Sequence, residues 1–383
     1  MKKGVIVLIV ILSGLFLRNE IENKNRINIG VVSTLSGEGS SIGIAMLNGI
    51  VMAAEEFNRD KKFYEKKVSL IIRDDKNDAL EAKKAATELI DAGVVAILGP
   101  ALSEAGIAVS EVGNERKKLV VSPTVGTTKL SGKDDYFIRI SPPVDKNAIS
   151  LADISKDYFN MKKILLIYNR KNSAYTESFR DSYIEAFTGE TKGENNVYIK
   201  TTSDRIKSYF PAIKDEIDGV VIIANPIDTA EITQNIKKIK GEMQILVSGW
   251  ALHQNFITYG GKYAEGVYIA YYYDDYFDKD IIYLDERFKD FKIRYTERYN
   301  EKSDAFSLYG YESFNILVHS IKRSGSRNSD KLKEEVLSPE SEEYFLQPGK
   351  FDKYGDGERG VFIFQVKDKK FQKVESNQNF RKE

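Results

Sequence analysis

The sequence predicts an α/β fold built from two doubly wound parallel-sheet lobes. Two observations support this prediction. Short, continuously apolar segments alternate with longer segments whose apolar residues recur at helical spacing, and this series restarts after Pro142 and Pro143. The 383 residues are enough for two ordinary domains. Strands that alternate with helices in this way are typical of parallel sheets covered by helices on both faces.

The first series lies before Pro142. Its strands are apolar on both faces, as buried parallel strands are, and its helices are amphipathic. We expect Asp78 to cap one helix and Ser103 to cap another. The expected strands cover residues 27–32, 68–72, 94–98 and 119–121, and the expected helices cover 44–57, 79–90 and a segment after 103.

The second series repeats the pattern without repeating the sequence. Its expected strands are 164–168, 197–199, 220–223, 245–247 and 267–269, and its expected helices are 176–187, 209–217 and 229–239. Two further helices are expected at 284–299 and 306–321. In the tail, apolar segments at 361–366 and 371–374 flank residues 367–370, which predicts a hairpin.

Composition excludes several classes of function. Lysine plus arginine and aspartate plus glutamate both number 57, and a net charge of zero disfavours nucleic acid as the main partner. Without cysteine there is no thiolate nucleophile, and His253 and His319 are too few for a three-histidine metal site. No dinucleotide fingerprint, P-loop or G-x-S-x-G motif occurs. We therefore expect a protein that is not an enzyme and uses no cofactor or metal.

The N-terminus has the layout of a targeting segment. Lys2 and Lys3 precede an apolar run at 5–17, which is short for a spanning helix because such a helix needs about 20 apolar residues. Residues 1–26 are therefore interpreted as a secretory signal or, if uncleaved, as a membrane anchor through residues 4–17. Both alternatives predict a periplasmic or otherwise extracytoplasmic protein.

Several motifs follow one another in a fixed order along residues 27–374. Residues 27–58 combine a strand, an S-G-x loop and a G-x-x-x-x-x-G helix. DD-x-x-D, G-P-x-x-S and S-P patterns come next, and AEGVY and YGYESFNIL follow them. In this order and spacing the chain resembles the branched-chain amino-acid-binding family of periplasmic solute-binding proteins, which have the type I periplasmic-binding fold.

The resemblance implies two lobes joined by three chain crossings, with a ligand in the cleft between them. Lobe one would contain residues 27–142 and about 276–337, and lobe two residues 143–275 and 338–383. The implied function is a monomeric receptor that binds a small amino acid or a related carboxylate and delivers it to the permease of an ABC importer. The alternative is the ligand-sensing domain of a signalling or regulatory system.

Four residues of lobe one are expected to bind the ligand. Ser103 begins a helix whose free N–H groups suit a carboxylate, and family members use the matching serine in this way. Thr124, Gly126 and Thr127 lie in the loop after the fourth strand, where family members hold the ligand's carboxylate and ammonium groups. Gly126 stands at the usual hydroxyl position, so Thr124 or Thr127 would supply that hydroxyl.

Three aromatic residues are further site predictions. Tyr175 precedes the first helix of lobe two, where family members place an aromatic ring against the ligand. Trp250, the single tryptophan, follows a strand of the same lobe and is equally compatible with a core position. Tyr309 matches the aromatic residue that the family has at the cleft.

Acidic and polar residues complete the predictions. Asn225 and Asp228 follow a strand of lobe two and are expected to bind the ligand. Amino-acid binders of the family have a carboxylate for the ligand ammonium near the tryptophan position. We expect Asp228 to take this role here, with Asp145 as the second choice. The run at 271–276 predicts a cleft or hinge contact or, as favoured here, a strand end with solvated tyrosines. The acidic run at 74–78 lacks the glycine and distal glutamate of a calcium loop, which favours helix capping.

Overall fold

Strands and helices alternate along most of the chain. The structure is a computed structural model that describes residues 26–59, 67–189, 196–202, 206–274 and 286–374. Its strands are β1 (Arg26–Ser33), β2 (Lys67–Asp74), β3 (Ile97–Leu98), β4 (Val120–Ser122), β5 (Phe137–Arg139), β6 (Lys163–Tyr168), β7 (Asn196–Thr201), β8 (Gly219–Ile223), β9 (Gln244–Ser248), β10 (Tyr268–Tyr271), β11 (Lys350–Phe351), β12 (Gly357–Glu358), β13 (Phe362–Lys367) and β14 (Lys370–Lys373). Its α-helices are α1 (Ser40–Arg59), α2 (Ala79–Asp91), α3 (Ser103–Glu115), α4 (Asp145–Asp153), α5 (Ser173–Thr188), α6 (Ile206–Ile213), α7 (Pro226–Ile239), α8 (Gln254–Gly260), α9 (Glu286–Tyr299), α10 (Ala305–Ser324) and α11 (Ser329–Val336).

Two large sheets form the centres of two lobes. The first is parallel, with strand order β2-β1-β3-β4-β5. The second has the order β14-β13-β10-β9-β8-β6-β7, and only β13 and β14 run antiparallel to their neighbours. The central strands are continuously apolar and buried, as in β8, because helices cover both faces of each sheet. The predicted fold class is therefore confirmed.

The C-terminal helix α10 returns to lobe one and packs closely on α1. Two glycines allow this approach: a Cβ added to Gly49 would lie 2.0 Å from the carbonyl oxygen of Ser307, and one added to Gly310 would lie 2.2 Å from that of Met46. Any side chain at either glycine would therefore push the two helices apart. This contact explains why a segment distant in sequence belongs to the first lobe.

The chain passes between the lobes three times. The first passage follows β5 and covers residues 141–144, after which α4 packs on α5 of lobe two. The second lies between β10 of lobe two and α9, which is joined to lobe one by the ion pair of Arg298 with Glu55 at 2.6 Å. The third lies between β12 and β13. Crossings between two lobes form a hinge about which the lobes can close.

The tail divides between the lobes, which corrects the expectation that all of it belongs to lobe two. Asp356 lies beside β5 and accepts a hydrogen bond from Arg139 Nε at 2.7 Å. Arg359 forms a buried ion pair with Glu312 of α10. Buried charges need partners, and these two pairs hold the segment before residue 360 on lobe one. The hairpin of β13 and β14 alone joins the second sheet.

The secondary structure differs from the sequence predictions mainly in short elements. The hairpin is confirmed: Asp368 and Lys369 form its two-residue turn with φ of 53° and 58°, as a turn that matches the strand twist requires. In place of the helix expected at 209–217, the structure has α6, which begins and ends earlier in the sequence and contains Pro211. The elements β5, α4, α8 and α11 were not predicted, because segments of three to nine residues carry little periodicity.

Candidate functional site

A small cavity lies between the two lobes, beyond the carboxyl ends of β3, β4 and β9. Its volume is about 20 Å³. Because about 10–15 Å³ is enough for one water molecule, a larger solute enters only when the lobes part or the aromatic side chains turn. Four predicted site residues meet in this cavity. Its walls are Ile42, Ala101, Leu102, Ser103, Thr124 and Phe306 from lobe one and Asn172, Tyr175, Trp250 and Tyr271 from lobe two.

Ser103 is held against the loop that follows β4. It is the first residue of α3 rather than its cap: Leu102 occupies the N-cap position without a side-chain hydrogen bond, so the capping prediction is wrong. The backbone N–H groups of Gly126 and Thr127 donate hydrogen bonds to Ser103 Oγ at 3.1 and 3.2 Å. The oxygen lone pairs are thus used, and the hydroxyl proton is left for an acceptor.

A buried arginine lies behind this loop. Arg139 Nη1 donates hydrogen bonds to the carbonyl oxygens of Thr127 and Val125, at 2.6 and 3.4 Å. The peptide unit whose carbonyl belongs to Val125 carries the N–H of Gly126, which binds the serine hydroxyl. Hydrogen bonds in series polarise one another, so the positive charge is relayed toward the cavity. Burial lowers the pKa of Arg139, and the adjacent Asp356 opposes that shift.

The other residues of the loop are engaged within the protein. Thr124 Oγ1 donates to the carbonyl oxygen of Ala101 at 2.7 Å. Thr127 lies outside the cavity walls, and its hydroxyl is 3.0 Å from that of Ser178 in lobe two. A Cβ on Gly126 would lie 2.6 Å from Val144 Cγ1 and 3.3 Å from the Tyr175 ring, so a side chain there would displace Val144 at the first crossing. Thr127 and Gly126 therefore do not line the cavity but support its wall, since their backbone N–H groups hold Ser103.

Tyr175 and Trp250 form the lobe-two wall. Their rings meet edge to face, with centroids 5.5 Å apart, which is a favourable arrangement for two aromatic rings. Tyr175 Oη lies beside Ser248 and the Trp250 backbone, but in the described part of the chain neither Tyr175 Oη nor Trp250 Nε1 has a hydrogen-bond partner. Burial raises the pKa of Tyr175, so its hydroxyl stays protonated. The wall thus presents two buried donors.

Asn225 and Asp228 do not line this cavity. Asn225 caps α7 by accepting hydrogen bonds from the backbone N–H groups of Ile227 and Asp228. Asp228 lines a separate outer cavity of about 550 Å³, and its Oδ2 accepts from Asn169 Nδ2 at 2.8 Å. Burial, together with the charge of Glu38, raises the pKa of Asp228. Both residues thus lie on the outer side of the cleft.

Glu38 joins the lobes at this outer side, and sequence reasoning did not single it out. Its Oε1 accepts hydrogen bonds from Asn169 Nδ2 at 2.6 Å and from Asn225 Nδ2 at 2.8 Å. Its Oε2 lies 2.6 Å from Lys171 Nζ. The acidic run at 74–78 supports this loop, since Asp74 accepts hydrogen bonds from the two residues that precede Gly37. We call these contacts of Glu38 the outer latch.

Helices α3 and α5 cap each other across the cleft. Glu104 Oε2 accepts hydrogen bonds from Ser173 Oγ and from the Ala174 N–H, both at 3.0 Å, at the start of α5. In return, Asn172 Oδ1 accepts from the Glu104 N–H at 3.2 Å, at the start of α3. Carboxylates and amide oxygens stabilise helix N-termini, so each helix binds a side chain from the other lobe. We call this pair the mutual cap.

Tyr309 and Asp145 lie at the hinge. Tyr309 is buried, its hydroxyl donates to the carbonyl oxygen of Tyr272 at 3.1 Å, and its ring lies 4.6 Å from the Arg359 guanidinium. Asp145 begins α4, and within the described ranges its Oδ1 is buried without a hydrogen-bond partner. Tyr309 does not line the cavity, and its ring centroid lies 6.4 Å from that of the wall residue Tyr271.

The tyrosines that begin the 271–276 run are buried, so the favoured interpretation of solvated side chains is wrong for them. Tyr271, Tyr272 and Tyr273 are 5%, 1% and 3% exposed. The Tyr272 hydroxyl donates to the carbonyl oxygen of Pro143 at the first crossing. The packing of the second crossing on the first places these rings in the hinge, and Tyr276 lies outside the described residues.

Comparison with known proteins identifies the family. The family model described as "Periplasmic binding protein" matches residues 26–371. The chain belongs to this family. A Leu/Ile/Val-binding protein of Rhizobium johnstonii is 26% identical over 158 residues, which are 41% of this chain and 42% of that relative. The chain thus aligns with less than half the length of this curated relative.

Two solved structures share the fold of this periplasmic binding protein. A leucine-binding protein of Thermotoga maritima has a TM-score of 0.80 and 21% identity, covering 91% of this chain and 97% of the other. A solute-binding protein of Rhodopseudomonas palustris in complex with benzoate has a TM-score of 0.76 and 15% identity, covering 91% and 95%. Family and neighbours are solute-binding proteins rather than enzymes, and the predicted resemblance is confirmed.

Membership of the family implies a place outside the cytoplasm. The predicted signal or anchor at residues 1–26 lies outside the described residues but for Arg26. No described helix has the length and apolar character that crossing a membrane requires.

Among the described residues no cluster of three or more histidine, aspartate or glutamate side chains could hold a metal ion. In the 74–78 run, Asp78 caps α2, as predicted.

Proposed function

We propose that this periplasmic binding protein is an extracytoplasmic receptor that captures a small amino acid or a related carboxylate between its lobes and delivers it to an ABC importer. The observation that carries the proposal is the cavity between the lobes, where the Ser103 hydroxyl meets the Tyr175 and Trp250 rings. The serine hydroxyl and the start of α3 provide hydrogen-bond donors for an anion. The rings provide an apolar surface for the rest of the solute.

Closure of the lobes would enclose the solute and report its capture. The outer latch and the mutual cap both join the lobes, and the mutual cap includes Asn172 of the cavity wall. Their geometry exists only when the lobes are close, so a bound solute that favours closure also favours these contacts. A permease that recognises both lobes together would then distinguish the loaded from the open receptor. We propose that the protein acts as a monomer and that residues 1–26 export or anchor it.

A screen of small solutes tests this function. Amino acids and small carboxylates would be added to the purified protein while its melting temperature is followed. A true ligand at a hundredfold excess over its dissociation constant should stabilise the fold by about 2.7 kcal/mol. Solution scattering of the same samples should show a smaller radius of gyration, since hinged closure compacts two lobes. A screen without any stabilising solute, or a scattering profile unchanged at saturation, would contradict the proposal.

A further inference from the structure

We infer that the solute held in this cavity is a carboxylate without an ammonium group, rather than an α-amino acid. The inference rests on the proposed function, in which the cavity holds the transported solute. It follows from which hydrogen-bond donors and acceptors of the cavity walls are not already bonded within the protein.

Three buried side chains that line the cavity carry hydrogen-bond donors. Ser103, Tyr175 and Trp250 are 1%, 8% and 5% exposed, and all three line the walls. The Ser103 oxygen already accepts two backbone hydrogen bonds, so its remaining capacity is to donate. Trp250 Nε1 is a donor only, and neither it nor Tyr175 Oη has a partner within the described ranges. An anionic acceptor within reach of these groups would satisfy them.

Positive electrostatic potential reaches the cavity from two sources. Arg139 is fully buried behind the loop, and its charge polarises the Val125–Gly126 peptide unit, whose N–H donates to Ser103. The start of α3 adds the partial positive charge of a helix N-terminus. Asp356 offsets part of the arginine charge, and Glu104 in the first turn of α3 offsets part of the helix charge. Both sources favour a negative group and oppose a positive one.

The walls lack a carboxylate that could pair with an ammonium group. None of the ten wall residues is aspartate or glutamate. The nearby acid Glu104 is taken by the start of α5, and Glu38 is taken by the outer latch. Asp228 and Asp145 do not reach the walls.

Two neutral acceptors of the walls are also engaged. Asn172 Oδ1 accepts the Glu104 N–H, and the Ala101 carbonyl oxygen accepts the Thr124 hydroxyl. An enclosed ammonium group would therefore lose its hydration without gaining a charged partner, which is costly.

Matched pairs of ligands test the inference, because each pair differs only in the ammonium group. The probes are isovalerate with valine, isocaproate with leucine, and hydrocinnamate with phenylalanine, each titrated calorimetrically into the purified protein. We expect at least one acid to bind about tenfold or more tightly than its amino acid, the scale of one charge-assisted hydrogen bond. An amino acid that binds as tightly as its acid would overturn the inference and leave the proposed function intact. Binding of neither member of any pair would overturn both.

Two tyrosines of α5 provide a matched pair of variants. Tyr175→Phe removes the unpartnered hydroxyl of a cavity-wall residue and should weaken binding of the best acid about three- to tenfold. Tyr183→Phe is the control: Tyr183 is also buried, but its hydroxyl binds Ser155 Oγ at 2.7 Å, away from the cavity. Equal effects of the two variants on affinity would contradict the assignment of Tyr175.

A substitution in the wall tests the role of charge directly. Asn172→Asp has nearly the same shape and keeps the oxygen that accepts the Glu104 N–H, while it adds a negative charge to the wall. It should weaken binding of the acids and shift the preference toward the amino acids by about tenfold or more. An unchanged preference in a variant with unchanged melting temperature would show that the walls do not select by charge.

Discussion

The Ser103 hydroxyl acquires a defined orientation from its neighbours. Two backbone N–H groups occupy its oxygen, and the buried Arg139 polarises the peptide unit of one of them. A hydroxyl in this setting is a directed donor rather than a freely rotating group.

His319 is a titratable residue whose surroundings favour its neutral form. Its ring stacks on that of Tyr344, with the two centroids 4.2 Å apart.

Replacing Ser103 should impair binding without unfolding the protein. Ser103→Ala removes a charge-assisted hydrogen bond to the solute and should weaken its binding about ten- to a hundredfold. The variant also leaves the N–H groups of Gly126 and Thr127 without their acceptor, so a loss of about 1–3 kcal/mol in unfolding free energy is expected. Calorimetric titration and urea denaturation measure the two effects separately. Unchanged affinity would show that the solute does not contact Ser103.

The protonation of His319 should make the fold sensitive to acid. Burial, reinforced by the charges of Lys322 and Arg323, lowers its pKa to about 4. In the unfolded chain the pKa of histidine is about 6.5, so below that pH the unfolded state binds more protons and stability falls until about pH 4. His319→Phe should remove about 1–2 kcal/mol of this loss, less than full linkage because the ring is partly solvated. Urea denaturation at several pH values measures it, and identical slopes in both proteins would contradict it.

At the level of secondary structure, the mutual cap couples two helices that belong to different lobes. The starts of α3 and α5 face each other, and each supplies the side chain that the other needs. Helix N-termini leave N–H groups without internal partners, so a cap from the opposite lobe satisfies them only when the lobes are close. The local chemistry of two helix ends thus favours the closed arrangement.

Removing the mutual cap should shift the protein toward an open form. Glu104→Ala deprives Ser173 and Ala174 of their acceptor and should reduce solute affinity several-fold, since a cap contributes about 1 kcal/mol. Glu111→Ala is the control, because Glu111 is an exposed residue of the same helix that contacts only Lys83, at 3.7 Å, among its described ion-pair partners. Both variants would be titrated with the best solute from the screen. Equal affinities would show that the mutual cap does not contribute to closure.

For the molecule as a whole, closure depends on contacts at two places around the cleft. The mutual cap lies beside the cavity, and the outer latch lies where Glu38 reaches Asn169, Asn225 and Lys171. On the hinge side, the buried pair of Arg359 with Glu312 fixes the third crossing to lobe one. Lobes held in this way can rotate as rigid bodies, because each has its own sheet and core.

The outer latch should hold the lobes together even without a solute. Glu38→Ala removes three polar contacts to lobe two, and we expect a larger radius of gyration in solution scattering and about tenfold weaker solute binding. Glu55→Ala is the control, since Glu55 pairs with Arg59 and Arg298 on lobe one. A radius of gyration identical in the two variants would contradict a role for the latch.

The predictions from sequence succeed for long elements and fail for contacts between lobes. Ser103, Thr124, Tyr175 and Trp250 were predicted and do meet at the cavity, because each follows or flanks a strand whose carboxyl end faces the cleft. Asn225 was predicted by the same rule, but its side chain caps its own helix. Position at a strand end does not determine which way a side chain turns.

The sequence by itself determined the α/β alternation, the two sheets and the edge at which their loops converge. These features follow from local periodicity, and periodicity is a property of neighbouring residues. Only the tertiary structure decided that Glu38 binds lobe two, that Glu104 caps α5, that Arg139 lies behind the loop and that the tail divides at residue 360. Those outcomes depend on which charges and helix ends come together between segments 12 to 131 residues apart, and no local pattern encodes that pairing.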